Sequence, residues 1–234
     1  MQQIVIQKRF RGPSKSANGG YIAGLLAELI DGPAEITLRA PPPLETPLDL
    51  VGADQGFDLR REDQLIGSVR PGRFSLRVPE KPTDAEIEAA LPHYPGARNS
   101  PIPHCFVCGV DNAPGEGLRV FASPVAGRDL AAARWDPHAN MADEDGFILE
   151  RYVFAALDCP GAHAWHGETG GSMLLGRIVG EVTGRVRAGD RCTVLAWREG
   201  MEGRKAYAGS AVLGPDDRVV ASAFATWITV PSVS

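Results

Sequence analysis

The segment Asn18-Gly19-Gly20-Tyr21-Ile22-Ala23-Gly24-Leu25-Leu26-Ala27-Glu28-Leu29-Ile30, closed by Asp31-Gly32-Pro33, constrains the fold more than any other stretch of the sequence. Asn-Gly-Gly reads as a helix start and Asp-Gly-Pro as a stop. Large apolar side chains fall at 21, 22, 25, 26, 29 and 30, while Ala23, Gly24 and Ala27 occupy most of what would be the polar face. A helix of that kind is buried nearly all round, so the rest of the chain has to enclose it. What surrounds it is strand-like. An edge strand is expected near residues 4–10, and short alternating runs follow at 35–40, 48–53, 56–61 and 64–70, with turn chemistry at Pro41-Pro42-Pro43 and Arg61-Glu62-Asp63. One buried helix and a set of antiparallel strands define an α+β unit.

The pattern then recurs. Residues 79–103 turn to proline, glycine and polar side chains, with one short helix that Thr83 caps and Glu86 closes as a capping box, and read as a linker. Beyond it come strands near 118–123 and 130–135, an apolar helix over 149–157, and β-rich runs at 172–186, 191–198, 204–213 and 218–230. Leu59-Arg60-Arg61-Glu62-Asp63-Gln64-Leu65-Ile66-Gly67-Ser68 can be laid on Leu213-Gly214-Pro215-Asp216-Asp217-Arg218-Val219-Val220-Ala221-Ser222, each a strand, an acidic turn and a strand ending in small residues. The expected organisation is an N-terminal repeat over 1–78, a linker over 79–103 and a C-terminal repeat over 104–234.

Charge and length narrow the function. The 234 residues carry a net charge of -5 with scattered basic side chains, which gives neither the footprint of a nucleic-acid binder nor a polybasic membrane patch. No run approaches a membrane-spanning length, and the first residues lack a signal peptide's basic and apolar regions, so the expected location is the cytoplasm. Four cysteines are too few for a disulfide scaffold.

Three stretches resemble the hot-dog superfamily. Asn18-Gly19-Gly20 opening an apolar helix is similar to the Gly-Gly helix start of hot-dog thioesterases, and Ile36-Thr37-Leu38-Arg39-Ala40-Pro41-Pro42 resembles the strand that follows it in two-repeat acyl-CoA thioesterases. Cys105-Phe106-Val107-Cys108-Gly109, with Asn112 and Gly117-Leu118-Arg119-Val120-Phe121, resembles the opening of many single-domain members. Gly189-Asp190, Arg204-Lys205 and the last turn-strand unit resemble the usual tail of a repeat. The resemblance implies a double hot-dog, two tandem antiparallel sheets each wrapped around a helix. It also implies an acyl-CoA or other acyl-thioester ligand in a crevice between the repeats, and no cofactor. The leading function is an acyl-CoA thioesterase; the alternative is a non-catalytic acyl or acyl-CoA binding protein. Single-repeat members pair edge to edge, a pairing that a double repeat makes within one chain, and the remaining edges leave a homodimer open. The chain departs from the two-repeat thioesterases where they carry an Asp-His pair and a glutamine: here those strands read Gly176-Arg177-Ile178-Val179-Gly180-Glu181-Val182 and Ala223-Phe224-Ala225-Thr226-Trp227.

Thioester hydrolysis needs donors aimed at the carbonyl oxygen and a carboxylate acting as base or nucleophile. Gly19 and Gly20 supply free backbone N–H groups at a helix start, and Asn18 caps the helix or contacts substrate. Asp158, an acid in otherwise apolar surroundings near the end of the second helix, is the expected catalytic carboxylate, with a raised pKa; capping a turn that starts at Pro160 is its plainer role. Glu150, eight residues earlier on nearly the same face, is a second candidate for substrate contact. Cys105 and Cys108 form a CxxC that Cys159, His163 or His166 would have to complete as a metal site. Without a second closely spaced pair the sequence assigns no metal.

Overall fold

The computed structural model describes residues 2–97, 100–169 and 171–231. The first half comprises β1 (Gln2–Val5), α1 (Gly19–Ala27), β2 (Ala34–Leu38), β3 (Pro47–Ala53), β4 (Gly56–Arg61) and β5 (Gln64–Pro71). Helix α2 (Asp84–Ala90) lies in the linker. The second half comprises β6 (Ser123–Pro124), β7 (Leu130–Trp135), α3 (Glu150–Ala155), α4 (Asp158–His163), β8 (Ser172–Val182), β9 (Cys192–Glu202), β10 (Lys205–Leu213) and β11 (Val219–Val230). No helix among the described residues is long and apolar enough to cross a membrane.

All the strands join one antiparallel sheet in the order β1-β3-β4-β5-β2-β8-β11-β10-β9-β7-β6. Read outward from the β2–β8 pairing, the two sides begin alike, with five strands on one side and six on the other. The halves meet at β2 and β8, where Ala34 pairs with Gly180 and Ile36 with Ile178. The β4–β5 hairpin next to β2 matches the β10–β11 hairpin next to β8, and these are the two segments whose sequences can be superposed. Each hairpin turns through an acidic residue at positive φ, Glu62 and Asp217.

Helix α1 behaves as its composition demands. Tyr21, Ile22, Ala23 and Leu26 are buried, and the exposed Glu28 at its end pairs with Arg151 of α3 at 2.9 Å. The two helices cross at Gly24, where any Cβ would strike the backbone of Arg151. Phe10 stacks on Tyr21 with ring centroids 3.7 Å apart, and Phe106 meets both edge-on, so aromatic side chains from both halves share one core.

Several boundaries shift. The first strand stops at Val5 and gives way to a 3-10 turn over Lys8–Phe10. Residues 118–122 form no ladder strand: Arg119 sits at φ 59°, and Leu118 and Val120 instead donate to the Phe106 and Val107 carbonyls. The apolar helix expected over 149–157 ends at Ala155, and Asp158 opens α4 rather than closing α3. The linker helix carries the expected Thr83–Glu86 capping box. It buries Ile87 and Ala90 against Leu130, Leu195, Trp197 and Leu213, on the outer face of the second half's sheet.

A buried carboxylate at the start of the first helix

The start of α1 meets the start of α4. Asn18 caps α1 by accepting the Tyr21 N–H on Oδ1 at 2.8 Å, which turns its amide nitrogen toward Asp158. Asp158 Oδ2 accepts from Asn18 Nδ2 and from the Gly20 N–H, both at 3.0 Å. The approach is possible because Gly20 has no side chain. Asp158 Oδ1 is buried without a hydrogen-bond partner among the described residues. Burial raises the Asp158 pKa to about 7, the nearby Cys105 adds to the rise, and the Gly20, Asn18 and Cys159 donors oppose it. The carboxyl is thus held by two donors on one oxygen and free on the other.

The site opens into a cavity of about 590 Å³ lined from both halves. Asn18, Gly19, Leu38 and Pro41 come from the first; Asp158, Trp165, Met173, Leu175, Trp227 and Ile228 come from the second. Gly19 is only half-buried, and its N–H has no hydrogen-bond partner among the described residues. A donor with the positive end of a nine-residue helix behind it therefore stands at the wall of this largely apolar cavity.

Of the residues expected from sequence, Asn18, Gly19, Gly20 and Asp158 come together here. Glu150 does not. It is exposed at the first turn of α3 and lines a separate cavity of about 490 Å³ with Glu28, Asp143 and Arg185. His163 and His166 both line the larger cavity, and burial of the His163 ring lowers its pKa to about 4, so it is neutral there. Tyr94 was not foreseen. It comes from the linker, lines the same cavity and donates from its hydroxyl to the Cys108 carbonyl at 2.6 Å, a contact with no local sequence signature.

An antiparallel sheet wrapped around central helices is the hot-dog fold. Both repeats lie in one chain, which makes this protein a double hot-dog. Solved structures of that fold align with nearly the whole chain. A protein of unknown function with hot dog fold from Alicyclobacillus acidocaldarius is similar with a TM-score of 0.64 and 9% identity, over 99% of this chain and 93% of its own. The TesB protein of Mycobacterium avium subspecies paratuberculosis gives 0.60 at 13% identity, over 98% and 91% respectively. A candidate thioesterase from Novosphingobium aromaticivorans gives 0.60 at 14%, over 97% and 94%. No family model matches the sequence, and no curated protein matches it. At these identities the likeness establishes the fold, and the chemistry has to be argued from the site.

Proposed function

We propose that the protein is an acyl-CoA thioesterase whose reaction takes place in the larger cavity. The observation that carries this is the partly satisfied carboxylate of Asp158, set in the cavity wall with the free Gly19 N–H at the same helix start. The apolar walls hold the acyl chain. The thioester oxygen accepts from the Gly19 N–H, where negative charge develops as the carbonyl carbon becomes tetrahedral. The Asp158 carboxylate takes a proton from the attacking water, the C–S bond breaks, and the carboxyl returns the proton to the departing thiolate. Fold neighbours described as TesB and as a candidate thioesterase support this class of chemistry.

The rival is a non-catalytic acyl or acyl-CoA binding protein. One observation favours it: the bonds from Gly20 and Asn18 to Asp158 would also serve as a buried polar latch between the halves. Thiol release from short- to long-chain acyl-CoAs by the purified protein separates the two. Turnover on at least one chain length is expected; saturable binding with no thiol released would establish the rival.

A further inference from the structure

Three thiols beside the carboxylate take no part in that chemistry. Cys105 and Cys108 lie in Cys105-Phe106-Val107-Cys108-Gly109, where the chain reverses through a Gly109 N–H to Cys105 carbonyl hydrogen bond of 2.8 Å. The turn requires glycine at its end, because a Cβ on Gly109 would stand 2.5 Å from the Cys105 nitrogen and the Pro103 oxygen. Cys159 arrives from the first turn of α4. Its sulfur is 3.7 Å from that of Cys105, and the three sulfurs all lie within 4.8 Å of one another.

That spacing is close to that of ligands. Two sulfurs bound to one tetrahedral zinc ion at about 2.3 Å stand about 3.8 Å apart. A disulfide would instead need one pair to close to about 2.05 Å and would leave the third thiol over. We propose that Cys105, Cys108 and Cys159 bind one zinc ion as thiolates, with the fourth position turned toward the cavity and left to solvent.

The cluster has a side-chain donor at hand. The Asn18 amide contacts the Cys105 sulfur at 3.6 Å. Three thiolates around a divalent ion carry one residual negative charge, which is far cheaper to bury than three uncompensated ones. Thiolates also select a borderline-soft ion over magnesium or calcium. The ion would tie the CxxC turn to the start of α4, and so hold the peptide that carries Asp158 against Gly20.

The test is the metal content and metal affinity of the full chain. Protein purified without chelators is expected to hold one zinc per chain. The stripped protein should take up zinc(II) with the same stoichiometry. Cobalt(II) in its place should give the intense sulfur-to-metal charge-transfer bands of a multi-thiolate site. Cys159→Ser should lose the stoichiometric zinc, whereas Cys192→Ser, at a buried thiol in β9, should keep it. The cobalt spectrum of the wild-type chain counts thiolates even if a variant fails to fold. A folded wild-type chain that binds neither zinc(II) nor cobalt(II) saturably, or that is isolated metal-free with a Cys105–Cys108 disulfide, overturns the proposal. None of these readouts depends on thiol release, so the metal site and the thioesterase reading fail separately.

Discussion

Gly20 and Asp158 are in contact across the junction of the two halves: the Gly20 N–H donates to Asp158 Oδ2 at 3.0 Å, and a Cβ on Gly20 would collide with the Asp158 Cβ. It would also stand 2.9 Å from the Ala155 carbonyl, which is backbone and cannot rotate away. Gly20→Ala should therefore destabilise the protein by about 1–3 kcal/mol, the usual cost of overpacking, despite alanine's better helix propensity. Urea denaturation checks it. Unchanged or raised stability would mean that the helices sit further apart than described.

Asp158→Asn separates chemistry from packing. The amide has nearly the shape of the carboxylate, and its oxygen can accept from Gly20 and Asn18 in place of Oδ2. It cannot take a proton from water. Thiol release should fall by at least roughly 100-fold, the scale of a lost general base, while acyl-CoA binding followed by calorimetry persists. Equal activity in the variant would remove Asp158 from the mechanism.

Gly19→Pro tests the oxyanion donor. Proline is favoured at the first helical position because its missing N–H has no intrahelical partner, and Asn18, at φ -66° and ψ 133°, already has the extended conformation required before proline. The ring has to displace the Leu175 and Leu38 side chains, which would lie 3.1 and 3.3 Å from a Cβ. The variant should fold, bind acyl-CoA and lose roughly 100-fold or more in kcat, because a transition-state donor is gone. A rise in KM with kcat preserved would show that Gly19 holds the ground state and the transition state equally and is no oxyanion donor.

The helix start was legible because local rules govern it. Asn18 as cap, the buried face of Tyr21 to Leu26 and the capping box at Thr83 all follow from side chains within one turn of each other. Asp158 was legible as an acid among apolar residues, yet its place was misjudged: the chain breaks at Ala156-Leu157 and starts a new helix, with no local signal beyond Asp158 preceding Cys159 and Pro160. Its partners Asn18 and Gly20 are more than a hundred residues away, and no local periodicity encodes that pairing. The thiol cluster is legible in part, since Cys159 is one of three residues the sequence offers to complete the CxxC. A CxxC is visible in sequence, but its third sulfur is brought in by tertiary packing alone. Glu150 shows the converse, since near-alignment with Asp158 on one long helix ceased to hold once the segment became two helices.

Ile87 measures how much the linker matters. Its side chain is buried at 4% exposure against Leu130, Leu195 and Trp197, although the surrounding composition reads as a connector. Ile87→Ala should cost about 2–5 kcal/mol, the range for truncating a core aliphatic. A cost under about 0.5 kcal/mol, typical of surface positions, would show that α2 is not docked in solution.

The seam between the halves predicts how the chain unfolds. Ile36 and Ile178 are both fully buried where β2 pairs with β8, Gly24 packs under the backbone of Arg151, and Asp158 is bonded to Gly20. Neither half can leave without exposing a strand edge and one side of a helix pair, so the two should unfold together. The four tryptophans, Trp135, Trp165, Trp197 and Trp227, all belong to the second half, whereas far-ultraviolet circular dichroism reports the strands and helices of both. Denaturation curves from fluorescence and from circular dichroism should therefore coincide in midpoint and slope. A dichroism transition that begins well before the fluorescence change would mean that the first half melts by itself, and that the β2–β8 seam is weaker than its buried isoleucine pair requires.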